Sequence, residues 1–311
     1  MVLMPRHEFW RKQYRERRYA RYLTQPELNQ RISDIMVNMM LLTPEAKIGL
    51  LPVKADSEVW MVKFTHMLEE MTLRHGPYPN GFTKDILKDT MPDFTSELGR
   101  KASKALVEKG LKPGDFYIKY GKREHMQALH EKGTMRLQPA SHFKLKDYNG
   151  AIQDDELSIV LSLILPREDI VQVVQNPQDV PTDLVEHAFD LSLNFPTDYW
   201  IYCLTTSLQS RLFVDFQADA CVIIHNKEAF KKRLLAATSI LNGKPQDGAV
   251  TYVDPLLPKT GKMFIPLTKH FKYAYQEEFR FSWVPKLPKK QLEPIDFSLG
   301  DMSNISSLIQ L

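Results

Sequence analysis

Apolar residues follow two different periods along this chain, and the change falls near residue 112. Before that point they recur at helical spacing, as Val59, Val62, Met67, Leu68 and Met71 do within one segment. Beyond it, they gather in short β-branched and aromatic runs that are typical of strands. The pattern predicts an α+β protein, with an all-helical region over residues 1–112 and a mixed domain over residues 113–311.

Helix start and stop signals divide the first region. Residues 6–22 are charged and aromatic without a break and predict a first helix. Thr24-Gln25-Pro26-Glu27 is a cap with proline in the first turn, which predicts a second helix through Met40. Thr43-Pro44-Glu45 repeats this start signal. Helices are also predicted over 57–74 and within 83–110, separated by a breaker at 76–81.

The second domain alternates predicted strands with predicted helices. The strands are expected at residues 115–120, 134–138, 157–165, 199–206, 212–216, 220–225, 249–253 and 279–284. Helices are expected between them at residues 122–132, 167–175, 182–190 and 227–241.

Charge is concentrated at the amino terminus. The whole chain carries a formal charge of only +3, whereas residues 1–24 hold seven basic and two acidic side chains. Aromatic residues interleave with these arginines, a mixture that suits nucleic acid because arginine neutralises phosphate and aromatic rings stack on bases. Arg11, Arg15 and Arg18 are therefore candidates for nucleic-acid or partner binding. Docking to an acidic protein, or a helix packed on the domain with solvated arginines, explains the segment equally well.

The remaining composition is that of an ordinary globular protein. With only two cysteines, Cys203 and Cys221, in apolar surroundings, buried free thiols are expected rather than a disulfide framework. The longest apolar stretch, 157–166, is about half of what a transmembrane helix needs. The basic start is followed by polar residues, which does not suit a signal peptide. We therefore expect a cytoplasmic protein without membrane association.

Several common kinds of site have no signature in the sequence. Neither a GxGxxG motif nor a P-loop occurs, and the cysteines and histidines lack zinc-binding spacing. Asp154-Asp155-Glu156 has the ligand types of a divalent ion, but a solvated turn is the favoured interpretation. No metal site is predicted.

One set of residues does suggest chemistry, by its order along the second domain. A strand ends in Lys119, Tyr120 and Gly121, and a later strand ends in Thr205-Thr206-Ser207. The last predicted strand is preceded by Gln276 and Glu278, which lie two positions apart and so share a face on an extended backbone.

This order resembles the ADP-ribosyltransferase superfamily, over roughly residues 115–285. It is also similar to a bacterial family of unknown function with Tyr-Arg-Tyr and Tyr-Glu-x-Glu-Tyr-Arg motifs, which here become Ile118-Lys119-Tyr120 and Tyr275 to Arg280. The resemblance implies a split β-sheet domain with Glu278 as the catalytic carboxylate and Gln276 as a guide for the acceptor. It implies NAD-binding roles for Lys119, Tyr120, Gly121, Ser141, Phe143, Thr206 and Ser207.

One position departs from the superfamily pattern. Its first strand usually ends in arginine or histidine, whereas Lys119 stands here, and a lysine cannot form the forked contacts of arginine. Either NAD is held differently, or a neighbour such as Arg123 or His125 takes the role.

The residue types suit cleavage of the bond between nicotinamide and ribose. That reaction builds positive charge on the ribose, which a carboxylate such as Glu278 can stabilise. We therefore expect NAD as substrate, without a metal, and a macromolecular acceptor, with nucleic acid (possibly RNA) favoured over protein. By analogy, the chain would be a bacterial toxin or anti-phage effector with an antitoxin or chaperone partner. The alternatives are an NAD glycohydrolase and a non-catalytic nucleic-acid-binding module.

Overall fold

A computed structural model describes residues 4–52, 54, 57–77, 93–108, 115–144, 150–174, 176–258 and 263–311. The predicted breaker at 76–81 and the predicted helical residues 83–92 and 109–110 lie largely or wholly outside this description. Within it, helices and antiparallel strands both occur, so the α+β class is confirmed.

Four helices occupy the described part of the first region. They are α1 (Arg6–Glu16), α2 (Gln25–Met39), α3 (Glu58–His75) and α4 (Glu97–Glu108). The predicted start of α2 is confirmed, because the Thr24 side chain and Glu27 form a reciprocal capping box. The first helix is shorter than predicted and ends before Arg17, whose backbone leaves the helical region.

The expectation of an all-helical first region is wrong. Strands β1 (Met40–Leu42) and β2 (Ile48–Leu50) form an antiparallel hairpin after α2. The sequence Thr43-Pro44-Glu45, predicted to begin a helix, is instead part of the hairpin turn, in which the Thr43 amide donates to the Lys47 carbonyl. A cap followed by proline also suits a turn, and the apolar residues flanking it pair as strands.

The second region is built around one sheet of eight strands, in which every pairing is antiparallel. Its strands are β3 (Tyr117–Gly121), β4 (Thr134–Pro139), β7 (Trp200–Thr205), β8 (Ala220–Ile224), β9 (Gly243–Ala249), β12 (Glu278–Pro285), β13 (Ile295–Ser298) and β14 (Ser306–Gln310). The predicted strands at 115–120, 134–138, 199–206, 220–225 and 279–284 are thus confirmed.

The sheet divides at β7. One edge of β7 pairs with β12 along its whole length, from Trp200 to Thr205. On the other edge, β4 pairs only with Trp200 and Ile201, and β3 pairs only with Thr205. Because β3 and β4 occupy opposite ends of the same edge, they diverge and leave the middle of β7 without a neighbouring strand there.

Two small sheets complete the strands of the described residues. Strand β5 (Ser158–Pro166) pairs with β6 (Glu186–Asn194), and β10 (Thr251–Val253) pairs in parallel with β11 (Thr268–His270). The remaining helices are α5 (Arg123–Lys132), α6 (Arg167–Val173), α7 (Arg211–Asp215) and α8 (Lys227–Ala237). The predicted strand at 157–165 and the predicted helices at 122–132, 167–175 and 227–241 are confirmed. The predicted strand at 249–253 contains the last residue of β9 and the whole of β10.

Two predicted elements have the wrong type. Residues 182–190, predicted as helix, contain the start of β6, which pairs with β5 over all nine of its residues. Residues 212–216, predicted as a strand, belong mainly to α7, where the buried ends Arg211 and Asp215 form an ion pair one turn apart. Both errors arise in short segments, where an apolar pattern fits either period.

The packing of the two regions fixes the position of the last motif. Residues Phe271–Gln276 form a 3₁₀ segment just before β12, and Phe271 packs into the apolar cluster of α1, α2 and α3. Asn38 of α2 accepts a hydrogen bond from the Tyr275 amide at 2.8 Å. Phe281 and Trp283 of β12 are buried in the core of the sheet.

Candidate active site

A cavity of about 460 Å³ lies beside β7, where β3 and β4 diverge. Among the residues that line it are six that were predicted as catalytic or NAD-binding: Lys119, Tyr120, Gly121, Phe143, Gln276 and Glu278. They come from three separate segments of the chain. The structure therefore brings together most of the residues that the order of motifs singled out.

The Gln276 and Glu278 corner depends on a left-handed residue between them. Gln276 ends the 3₁₀ segment, Glu277 has φ of 44°, and Glu278 begins β12. Gln276 and Glu278 are buried, whereas Glu277 is exposed. The two buried side chains meet at Lys269, whose Nζ lies 3.4 Å from Gln276 Oε1 and 3.2 Å from Glu278 Oε2. They thus share a side, although the backbone between them is not extended.

Glu278 belongs to a buried network of two cations and two carboxylates. Arg280 Nε donates to Glu278 Oε1 at 2.6 Å, and Arg280 Nη1 lies 2.6 Å from Glu156 Oε2. Lys269 contacts both carboxylates, at 3.2 Å to Glu278 and 3.6 Å to Glu156. None of the four is more than 6 % exposed, so their charges balance inside the protein.

The network keeps Glu278 ionised. Burial raises the pKa of the Glu278 carboxyl, but the charges of Arg280 and Lys269 outweigh burial and hold that pKa well below its usual range. Burial likewise opposes the charge on Lys269, and the carboxylates of Glu278 and Glu156 outweigh it, so the pKa of the ammonium is raised. A permanently negative side chain therefore faces the cavity.

The solvated turn predicted at 154–156 is wrong for Glu156. This residue is buried, pairs with Arg280 and lines the cavity. Its neighbour Asp154 has its pKa raised to about 6, first by burial and then by the nearby Glu156 carboxylate. The sequence around Glu156 is acidic and polar, so it does not indicate that Glu156 is buried by pairing with cations from distant segments.

Lys119 lines the cavity, but its ammonium is engaged within the protein. Its Nζ donates to the Cys203 carbonyl at 2.8 Å and lies 4.6 Å from the centre of the Tyr202 ring. That carbonyl belongs to the middle of β7, between the points where β3 and β4 pair with it. Burial lowers the pKa of Lys119. The predicted NAD-binding role is therefore disfavoured for this residue.

The two neighbours that could replace Lys119 differ in position. His125, on α5, lines the cavity together with Lys122. Arg123 instead donates to the Leu311 carbonyl, at 2.7 Å. Of the two alternatives, the geometry favours His125.

The hydroxyl residues predicted to bind NAD lie outside the cavity wall. Thr206 is exposed and donates to the Glu277 carbonyl at 3.2 Å, and Ser207 accepts from Gln209 at 2.9 Å. Thr205 lines the cavity instead and donates to the Gln276 carbonyl at 2.6 Å. Its register opposite Glu278 in the β7–β12 pair places it there, one residue before the predicted position.

Ser141 has a structural environment. Its hydroxyl donates to Asp198 Oδ2 at 2.7 Å, and its amide donates to the other carboxylate oxygen at 3.1 Å. Asp198 also accepts the Tyr199 amide, so the group ties the end of β4 to the start of β7. This contact positions Phe143, two residues later, in the cavity wall.

The arginines of the amino-terminal segment are paired with helix α3. Arg11 and Arg15 each place Nε 2.5 Å from Glu69, and Arg18 places Nη2 3.0 Å from Glu70. The carboxylates of Glu69 and Glu70 are almost fully buried. The helix is packed on α3, as one of the three interpretations has it, and its arginines are ion-paired while staying partly exposed.

No protein-family model, curated protein or solved structure matched this chain. Within the described residues, no cluster of three or more histidine, cysteine, aspartate or glutamate side chains is arranged to hold a metal ion. In the same part of the chain, no helix combines the length and apolarity needed to cross a membrane. Cys203 and Cys221 are not joined in a disulfide bond; Cys221 is buried and Cys203 is half-buried.

Proposed function

We propose that this chain is an NAD-dependent ADP-ribosyltransferase whose active site is the cavity beside Glu278. One observation carries the proposal: six residues to which the resemblance assigns a role, from three separate segments of the chain, line a single cavity. The motifs were chosen by their order in the sequence, and order alone does not require that they meet. Their convergence supports a common ligand.

The charge of the site suits cleavage of the bond between nicotinamide and ribose. Positive charge develops on the ribose in the transition state, and a fixed carboxylate in a water-poor site stabilises it. Glu278 is such a carboxylate, because Arg280 and Lys269 keep it ionised. Glu156 offsets one of these two cations and keeps the wall beside Glu278 from becoming positive.

The other walls fit parts of NAD. A cavity of about 460 Å³ falls within the usual range for small-molecule sites. Tyr120 and Phe143 supply aromatic surface for the nicotinamide ring, and Lys122 and His125 supply polar nitrogen atoms for the pyrophosphate. Lys119 and Thr205 instead hold the backbone of the site: Lys119 donates to a carbonyl of β7, and Thr205 donates to the Gln276 carbonyl.

The acceptor is proposed to be a macromolecule, with nucleic acid ahead of protein. Gln276 lies beside Glu278 in the cavity wall, and its Nε2 donates to the Ala151 carbonyl at 2.8 Å. The proposed role of Gln276 in orienting an attacking group requires that this hydrogen bond be exchanged for one to the acceptor. A role as a toxin or anti-phage effector, with an antitoxin or chaperone, rests on the resemblance alone.

The test incubates the protein with NAD labelled on its adenine, in the presence of RNA, DNA or a bacterial lysate. It measures two quantities: the nicotinamide released and the label transferred to a macromolecule. We expect label to enter a macromolecule in the wild-type reaction. Glu278→Gln should lower the rate at least a hundredfold, because it removes the charge that stabilises the transition state. Glu277→Gln is the matched control, since this neighbouring carboxylate is exposed and lies outside the cavity wall.

Each outcome has a defined meaning. Free ADP-ribose without labelled macromolecule would establish an NAD glycohydrolase. Absence of nicotinamide release from folded wild-type protein under every condition would contradict both enzymes. Thermal unfolding of both variants must be measured in parallel, because Glu278→Gln leaves Lys269 and Arg280 with one carboxylate between them.

A further inference from the structure

The small parallel sheet of β10 and β11 holds Glu278 at two points. Tyr252 of β10 and Lys269 of β11 are register partners, so they lie on the same face of this sheet. Lys269 Nζ contacts the Glu278 carboxylate at 3.2 Å. The hydroxyl of Tyr252 accepts the backbone amide of Glu278 at 2.8 Å. One pair of neighbouring residues therefore fixes both the side chain and the backbone of Glu278.

The contact with Tyr252 takes the place of a strand hydrogen bond. Strand β9 ends at Ala249, which pairs with Phe279, so Glu278 lies one residue beyond that pairing. The next residue, Val250, still donates its amide to the Glu278 carbonyl at 2.9 Å. The Glu278 amide donates to the side chain of Tyr252 instead. A hydroxyl thus completes the edge of β12 at the residue that carries the proposed catalytic carboxylate.

The phenol of Tyr252 is suited to this contact because it stays neutral. Burial raises the pKa of Tyr252, and the Glu278 carboxylate raises it further. A neutral hydroxyl accepts the amide through a lone pair of its oxygen. Glu278 is buried, so the loss of this acceptor would leave its amide unpaired away from water, which costs free energy.

The residue before Glu278 makes the contact important for the geometry of the site. Glu277 has φ of 44°, in the left-handed region that a residue with a side chain disfavours. Such a conformation persists only where the surroundings hold it. On one side the Thr206 amide donates to the Glu277 carbonyl at 3.0 Å, and on the other Tyr252 holds the next amide. Release of that amide would let the turn relax and would move Glu278 with it.

We propose that Tyr252 is a positioning residue for NAD cleavage, whose hydroxyl fixes the backbone of Glu278 so that the carboxylate meets the charge developing on the ribose. This role rests on the proposed function. Tyr252 lies outside the described wall of the cavity, so it acts through Glu278 and not on NAD. A displacement of about 1 Å at a reacting group can lower a rate about a hundredfold, so the effect of the hydroxyl is large enough to measure.

The first test is Tyr252→Phe, which keeps the ring and removes only the hydroxyl. We expect kcat for nicotinamide release to fall about tenfold with an unchanged KM for NAD, because the carboxylate is displaced while the cavity wall is intact. Tyr22→Phe is the matched control. It removes an exposed hydroxyl that donates to the Glu186 carbonyl at 3.1 Å, and it should keep the wild-type rate.

A double-mutant cycle separates positioning from a general loss of folded protein. The charge through which Tyr252 acts is absent in Glu278→Gln. Adding Tyr252→Phe to that variant should therefore change its residual rate less than about twofold. A loss of folded protein would instead lower the rate by the same factor in both backgrounds. An equal loss in the two backgrounds would overturn the proposal.

Amide hydrogen exchange tests the contact without relying on enzymatic activity. Tyr252→Phe should speed exchange of the Glu278 amide about tenfold or more. The amide of Phe281, which pairs with both neighbouring strands, should be unaffected. Unchanged exchange at Glu278 would overturn the role of Tyr252. An inactive wild-type protein would contradict the proposed function, whereas an active one that keeps its rate in Tyr252→Phe would overturn only the positioning role.

Discussion

Lys269 Nζ lies 3.2 Å from Glu278 Oε2, and this buried pair links strand β11 to the carboxylate that we propose as catalytic. The same ammonium contacts the side chain of Gln276. Lys269 thus fixes both residues of the corner in one position. Lys269 lies nine residues before Glu278 in the sequence. The 3₁₀ segment Phe271–Gln276 between them folds the chain back, so that the two side chains meet.

We expect Lys269→Met to destabilise the protein by about 3–5 kcal/mol, since it leaves the carboxylates of Glu278 and Glu156 buried with Arg280 alone. Urea denaturation measures the change. Lys272→Met removes a similar charge from a less buried position and should cost less than about 1 kcal/mol. Similar losses in the two variants would show that the buried network does not support the fold.

A second prediction separates two roles for Lys119. Because its ammonium satisfies the Cys203 carbonyl in the divided part of β7, Lys119→Met should cost about 1–3 kcal/mol of stability. The KM for NAD should change little. His125→Ala should raise that KM with little effect on stability, because this exposed residue lines the cavity. The reverse pattern in steady-state kinetics would restore Lys119 as the residue that binds NAD.

Much of the sheet could be predicted because each of its strands carries its own pattern. The strands β3, β7 and β12 are apolar runs bounded by polar residues, and their motifs keep their order. The corner at Gln276 and Glu278 was found for the same reason. The hydroxyl that lines the cavity, that of Thr205, lies one residue before the predicted Thr206. The two threonines are alike in sequence, and only the register opposite Glu278 distinguishes them.

The rest of the site depends on contacts between distant segments. Glu156 reaches the cavity because Arg280, more than a hundred residues away, attracts it, and nothing beside Glu156 in the sequence indicates this. Arg11, Arg15 and Arg18 suggested an exposed basic surface, but each of them pairs with Glu69 or Glu70 on α3. Charge partners of this kind cannot be found from periodicity or local composition.

The amino-terminal helix should be released when its anchor is removed. Glu70 is fully buried and accepts hydrogen bonds from Tyr14, Arg18 and Arg74. Glu70→Ala should destabilise the attachment of α1 by about 3–5 kcal/mol and expose its arginines to trypsin. Glu16→Ala, at an exposed position of the same helix, should keep the wild-type cleavage rate. Equal cleavage of both variants would show that Glu70 does not anchor the helix.

The last prediction concerns stability below neutral pH. Burial, together with the charge of Lys63, lowers the pKa of His66 to about 4 in the folded protein, against a usual value near 6.5. Between these values the unfolded chain binds a proton that the folded chain does not, so acidification favours unfolding. The contribution of His66 is complete above about pH 6.5 and is lost as the pH falls toward 4.

Asp154 acts in the opposite direction. Its pKa is raised to about 6, so the folded protein binds the additional proton, and this contribution is lost as the pH rises through 6. His66→Gln should therefore reduce the loss of stability between pH 7 and pH 4.5 by about 2 kcal/mol, whereas Asp154→Asn should increase that loss. Urea denaturation at the two pH values measures both slopes. The variant cost at neutral pH does not affect this comparison, because only the difference between the two pH values is used. An unchanged slope in His66→Gln would mean that the imidazole has the same pKa in the folded and the unfolded protein.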